Sequence, residues 1–447
     1  VAEKLLIIDV AALGYDLLQR HGRGTLAGMT FRPMQSVFPA VTCTVQASFR
    51  TASLPCVHGM VGNGLLLRDL RRVCFWEQSS ALVSGRRIWS GLRRRAGPGA
   101  GREGRVGMLF WQQSLGEDAD VLLSPAPVHK HHGGMIEDCY SRPAGLYRRL
   151  CDDLDMPFKL RHYWGPMASA KAGDWIALAA RSIIEDPSVS PDLCLVYLPT
   201  LDYDLQRYGP NGPKAAAAVE SLETQLEILL KAAAGRRYEV IVFGDYAMAE
   251  VTAAPVLPNL LLREAGLMQV RRVKRMSYAD LHASRAFAVA DHEVAHVYVR
   301  QPEDVDEVAG VLRSGDGIAE VIETGAAQEP PAPPGRGFVR SVDHPHSGEL
   351  VIVAEEGCWF AYPWWLDPGE APDYARHVDI HNKPGFDPCE LFFGWPPGIS
   401  QDAARVRGTH GRVGPGREVA VGATLDLPGD VGDVVQLAAF VRTLLGA

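Results

Sequence analysis

The chain has 447 residues, 47% of them hydrophobic, so it can bury a large core and is long enough for two or three domains. A formal net charge of −8 gives no basic field for a nucleic-acid polymer, and no run of about 18 apolar residues offers a membrane span. The eight scattered cysteines form no CxxC pair and the N-terminus enters a strand without a charged leader, so reduced thiols and a cytoplasmic location are expected.

The first element is a short apolar strand that ends in an acid, LLIID (Leu5 to Asp9). It leads to FPAVTCTVQASFRTASLPCVHGMVGN (Phe38 to Asn63), in which a hydroxyl-rich turn opens a helix. A buried strand that delivers a carboxylate at its C-terminal end, followed by such a turn, is how α/β sheets build catalytic sites. Residues 93–106 form a Gly/Arg-rich linker. Gly99 to Gly104 within it spell GxGxxG, but no strand precedes them and the strand-like VGMLFW follows, so a dinucleotide site is rejected. Next come the strand DLCLVYLP (192–199), the segment TLDYDLQRYGP and an amphipathic helix over 213–234. The strand YEVIVFGD then ends in Asp245. Strands joined by helices, each delivering acids at its C-terminal end, predict a parallel α/β arrangement.

From 256 the pattern changes: LPNLLLREAGL reads as helix, AFAVADHEVAHVYVR as strand, and VDEVAGVLRSGDGIAEVI as helix then strand, up to a Pro-rich joint at 330–337. The segments GELVIVAEEG, WFAYPWWLD, VDIHNKPGFDPCELFF and RVRGTHGRVGP are assigned back to the core. Within the strand, His292 to His296 spell HExxH. A metalloprotease would need that motif on a helix, and the alternating β-branched flanks argue against one. His129, His131 and His132 read as a solvated loop, and His344 and His346 as further loop histidines that face a site or solvent. WFAYPWWLD reads as core packing, with ring stacking against an aromatic substrate as the sharper alternative. Taken alone, Thr42 is an N-cap, and Asp9 and Asp245 are strand-end caps.

Together these stretches resemble the alkaline phosphatase superfamily, specifically its nucleotide pyrophosphatase/phosphodiesterase branch, a likeness carried by LLIID, the Phe-Pro turn before Thr42, LPCVHGMVGN, the acids Asp202 and Asp245, and GTHGR around His410. The resemblance implies a three-layer α/β sandwich with a mostly parallel central sheet, a core of residues 1–255 and 339–447, and a small α+β cap over 256–338. It also implies two divalent metals, Zn, Mn or Mg, on Asp9, Thr42, Asp202, Gln206, Asp245 and His410. Two positions depart from the family pattern, since Gln206 and Tyr246 stand where it has histidines. The set is left oxygen-rich, which suits Mg²⁺ or Mn²⁺ better than Zn²⁺.

The implied function is metal-dependent hydrolysis of a small phosphodiester, nucleotide or diphosphate, with Thr42 as nucleophile, a small phosphorylated substrate as partner, no nucleic-acid polymer or membrane, and the oligomeric state left open. Backbone amides around Cys43 would hold a nonbridging oxygen, and the family's assisting Asn is replaced near Val45. Tyr246 is a candidate acid/base, and Asn63, His292 and His381 are candidate substrate contacts; His381 reads equally as a hydrogen-bonded loop residue. The alternatives are a non-hydrolytic step in secondary metabolism (transfer, elimination or cyclisation) on one metal or none, and a non-catalytic binding scaffold.

Overall fold

The computed structural model describes residues 4–21, 24–94, 104–131, 134–325, 341–395 and 398–446. The Pro-rich joint, His132 and residues 99–103 of the Gly-rich linker lie outside these.

Continuous apolar runs are the mark of strands covered on both faces, and the three sequence runs that read this way form the centre of a nine-stranded sheet. Leu5–Val10 is buried along its whole length and lies between Leu193–Leu198 and Glu239–Gly244, parallel to both. Val106–Leu109 and Val121–Pro125 extend the parallel block beyond Leu193–Leu198. The edges are antiparallel: Cys139–Arg142 on one side, and Val419–Ala423, Met29–Met34 and Thr25–Leu26 on the other. Two helix pairs flank the sheet: Lys171–Glu185 against Ala215–Gly235, and Thr42–Thr51 against Val434–Leu444. The predicted amphipathic helix is therefore present, starting two residues later and ending one residue later than its sequence bounds. The register aligns Asp9 with Tyr197 on one neighbour and with Phe243 on the other, which brings the C-terminal ends of all three strands to one level.

A second, antiparallel sheet runs Ala286–Asp291, Val294–Val299, Leu350–Ala354, Ile318–Glu323, with helices Pro258–Glu264 and Val305–Arg313 packed on it. It has a core of its own that includes Trp364, Trp365 and Tyr362, so WFAYPWWLD is packing rather than a stacking platform. Leu350–Ala354, assigned above to the catalytic core, is a strand of this second sheet. Its run of five buried apolar residues fits either sheet equally, and only the pairing with Val294–Val297 decides.

The helix carrying Asp202, Thr200–Tyr208, is locked to its neighbours by a buried polar chain. The Thr200 hydroxyl donates to Gln225 Oε1 at 2.6 Å, and Gln225 Nε2 donates to Asp174 Oδ1 at 2.8 Å. Gly173 sits under this chain, and a Cβ there would overlap Thr200 Oγ1 and the Gln225 amide. Alanine normally stabilises a helix relative to glycine. Here, with Thr200 and Gln225 both buried, Gly173→Ala is expected to destabilise by about 1–3 kcal/mol, read as a lower midpoint in chemical denaturation.

Candidate active site

Asp9 stands at the end of the central strand with no exposed surface. Its Oδ2 accepts from Gln46 Nε2 at 2.8 Å, and Gln46 is itself fixed by the Gln112 N–H donating to its Oε1 at 2.7 Å. Asp9 Oδ1 has no hydrogen-bond partner. Asp245 follows the neighbouring strand. Its Oδ1 accepts from the backbone N–H groups of Ala12 and Tyr246, and its Oδ2 accepts from the Thr42 hydroxyl at 3.1 Å. Thr42 opens the ten-residue helix Thr42–Thr51, and the Tyr197 hydroxyl lies 3.4 Å from its Oγ1.

Burial raises Asp9 to about 8, and burial together with the Asp9 and Asp202 charges raises Asp245 well above the usual carboxylate range. Two uncompensated carboxylates in a dry interior cost several kcal/mol each. The pair therefore calls for a proton or a cation.

Asp202, buried on the helix after Leu193–Leu198, is bonded differently. Its Oδ1 accepts from the Tyr246 hydroxyl at 2.8 Å and its Oδ2 from Gln206 Nε2 at 2.7 Å. Burial lifts it only to about 6, because both donors favour its ionised form. The Tyr246 ring lies face to face with His410, with centroids 3.4 Å apart and planes 3° apart. His292 covers the other face of His410 at 3.6 Å and stacks on Phe386 at 3.9 Å. His410 Nδ1 is 2.7 Å from the Ala40 carbonyl, so it carries the proton and leaves Nε2 as the acceptor. Burial holds His410 down at about 3, and His292 well below its usual value, so both rings are neutral.

A cavity of about 770 Å³ opens over this cluster. Thr42, Asn63, Asp202, Gln206, Tyr246, His292, His381 and His410 all border it; Asp9 and Asp245 do not, and Asp245 is reached through its bond to Thr42. Trp76, Phe110, Tyr163, Trp164 and Phe386 make much of its wall, and Arg161 is its one guanidinium among the described residues. His381 is at the exposed rim, its Nδ1 3.1 Å from the Phe75 carbonyl, so it is both a loop residue and a wall residue. His129 lies at the mouth, whereas His344 and His346 sit against Gly59. The HExxH residues are not on a helix: His292 and Glu293 form the turn between two strands, and His296 points to the Val61 carbonyl.

The expectation that an assisting Asn is lost near Val45 needs correction. Val45 is a core residue, and the asparagine beside the Thr42 helix N-terminus is Asn63, whose Oδ1 accepts from the Cys43 N–H at 3.0 Å. Asn63 is held in turn by Asp291, which accepts from its backbone N–H at 2.7 Å and from its Nδ2 at 3.0 Å. Sequence reading missed Gln46, Gln112, Tyr197 and Asp291. Only Tyr197 left a signal, since it occupies the register position opposite Asp9.

Among the described residues, no three His, Cys, Asp or Glu side chains converge as a metal cluster. The two halves of the site nevertheless differ. Asp9, Asp245 and the Thr42 hydroxyl offer oxygen atoms, one of them unpartnered, and carry excess buried negative charge, so they fit a single hard cation. At the other half, the Asp202 oxygens are already bonded to two donors.

A mostly parallel sheet whose strands end in buried acids, with a hydroxyl at a helix N-terminus beside one of them, is an α/β arrangement that places functional groups at the C-terminal ends of its strands. Residues 5–387 match the family described as type I phosphodiesterase / nucleotide pyrophosphatase, and the chain belongs to that family. It is a hydrolytic enzyme with the alkaline phosphatase-like fold, from a family whose members are typically dependent on divalent metal. No curated relative matches it in sequence. Among solved structures, murine ectonucleotide pyrophosphatase/phosphodiesterase 5 is similar at 14% identity and a TM-score of 0.59, over 99% of this chain and 95% of that one. An inactive variant of the murine protein in complex with AMP gives 14%, 0.57 and the same coverage. Phosphonoacetate hydrolase from Sinorhizobium meliloti 1021, in complex with phosphonoformate, gives 17% and 0.58, over 99% of this chain and 96% of that one.

Asp291 supplies a check on this reading of burial. Its carboxyl is raised to about 7, mainly by desolvation, against about 4 in an unfolded chain. The folded state therefore holds a proton that the unfolded state lacks between those values. The stability this confers is complete below pH 4 and is lost as pH rises through 7, to a limit on the order of 4 kcal/mol. Asp291→Asn is expected to flatten that slope, measured as a smaller difference between denaturation midpoints at pH 4.5 and pH 7.5.

Proposed function

We propose that the chain hydrolyses a small phosphoester, of the phosphodiester, nucleotide or diphosphate class, through a covalent phosphothreonine at Thr42. The observation that carries this reading is the Thr42–Asp245 hydrogen bond at the N-terminus of a helix that faces the cavity. The Asp245 carboxylate takes the hydroxyl proton, and the positive end of the helix favours the phosphoryl group. Asn63, fixed by Asp291, orients the first helical turn. If a cation is bound, Asp9, Asp245 and Thr42 hold it, and it supplies charge neutralisation and a more acidic hydroxyl. An all-oxygen set favours Mg²⁺ or Mn²⁺.

The wall suits a substrate whose non-reacting part is apolar or aromatic, with His292 and His381 as polar contacts at two depths. The AMP complex of the murine protein and the phosphonoformate complex of the bacterial hydrolase support a small phosphorylated ligand. The apolar wall also supports a second reading, transfer of the phosphoryl group to an alcohol acceptor instead of water. No helix among the described residues is long and apolar enough to cross a membrane. The eight free thiols fit a reducing compartment, so we place the protein in the cytoplasm.

Thr42→Ala is expected to lower turnover of a bis-aryl phosphodiester by about 10³-fold or more while the thermal midpoint stays close to wild type. Acid quenching during turnover should trap phosphate on Thr42, detected by mass spectrometry. Full activity of the alanine variant would overturn the nucleophile assignment.

A further inference from the structure

On the half of the site built on Asp202, the carboxylate is already occupied by donors. Both carboxylate oxygens accept from side chains, Tyr246 on one and Gln206 on the other. The Gln206 amide has only one acceptable orientation, because turned over it would set its carbonyl against a carboxylate. It therefore presents a donor where a cation ligand would present a lone pair, and its own Oε1 is buried without a partner. His410, the remaining nitrogen, is sandwiched between the Tyr246 and His292 rings and tied through Nδ1 to Ala40. A cation at Asp202 would have to displace the Tyr246 and Gln206 donors from both carboxylate oxygens. The residues present do not fit a metal there.

Tyr246 also borders the cavity beside Thr42, and its backbone N–H holds the same Asp245 that holds the Thr42 hydroxyl. We propose that Tyr246, oriented by Asp202 and Gln206, stands in for the second cation as the proton donor to the leaving oxygen, and that the protein holds at most one cation, at Asp9, Asp245 and Thr42. This rests on the hydrolase reading above. As the Thr42 Oγ–P bond forms and the bond from phosphorus to the leaving oxygen breaks, the Thr42 proton passes to Asp245, while the Tyr246 hydroxyl turns from Asp202 Oδ1 and gives its proton to the departing alkoxide. In the second half, water attacks the phosphothreonine and its proton restores the Tyr246 hydroxyl, while Asp245 returns its proton to Thr42. A phenol so placed matters most for an alkoxide, which leaves poorly unprotonated, and least for a nitrophenolate, which needs no proton.

Two measurements test this on the full chain. The first counts Mn²⁺ and Zn²⁺ bound per chain by calorimetry and elemental analysis. No more than one is expected for wild type and two for the Gln206→His/Tyr246→His double variant. Two per chain in wild type, with one lost in Asp202→Asn, would overturn the proposal without any turnover being needed, even if the double variant fails to fold. The second compares Tyr246→Phe on alkyl and 4-nitrophenyl phosphodiesters. A loss of about 10²-fold or more on the alkyl ester against a few-fold on the nitrophenyl ester is expected. Equal losses would overturn the acid role. Absence of turnover on every ester would count against the hydrolase reading, and the metal count would still decide between one site and two.

Discussion

Everything in this site depends on the burial of two carboxylates at the ends of adjacent parallel strands. Asp9 and Asp245 share a dry interior in which like charges repel strongly, and the ionised pair is tolerated only with a positive counterpart or a proton. The backbone cannot relieve this, because the register of three almost wholly buried strands fixes both positions. The surroundings answer with donors: Gln46 to one acid, and two backbone N–H groups and the Thr42 hydroxyl to the other. The Thr42 hydroxyl is held by the same arrangement, and in the proposed function an acid that retains protons readily is a suitable acceptor for its proton.

Much of this was legible in the sequence, and the pattern of what was not is informative. Asp9, Thr42 and Asp245 could be found because each follows a run that signals its element: an apolar strand, a Phe-Pro turn, another apolar strand. Gln46 and Gln112 carry no such mark. They matter only because the fold places the amide of one against Asp9 and the backbone of the other against that amide. Asn63 was visible as part of a motif, but its place beside Cys43 depends on Asp291, more than two hundred residues away and in the other sheet. The strand Leu350–Ala354 was misassigned for the same reason. Five consecutive apolar residues announce a buried strand, and only its pairing tells which sheet receives it.

The second sheet does more than cover the first. Its first hairpin delivers Asp291 to Asn63 and His292 to the face of His410, so the turn between two of its strands contacts both the helix N-terminus that carries Thr42 and the ring stack behind Tyr246. The left-handed backbone of His292, with φ at +63°, lies in that turn. A side chain there accepts local strain in exchange for its position, a trade common at functional sites.

The segment from 378 to 390 shows how such a cavity can change its preferences. Lys383 is buried and bonded to Asp387 Oδ2 at 2.8 Å and Glu390 Oε1 at 2.6 Å, while Glu390 also accepts from the Asp379 N–H and from the Trp164 indole. This buried ion group fastens one wall of the cavity to another from behind, and separating them would strand a charge without a partner. The residues facing outward from the same segment, Val378 and His381, take no part in it and are exposed. Frame and lining are thus independent in energy. Substitutions at the rim can therefore alter which molecule the cavity admits at little cost to folding.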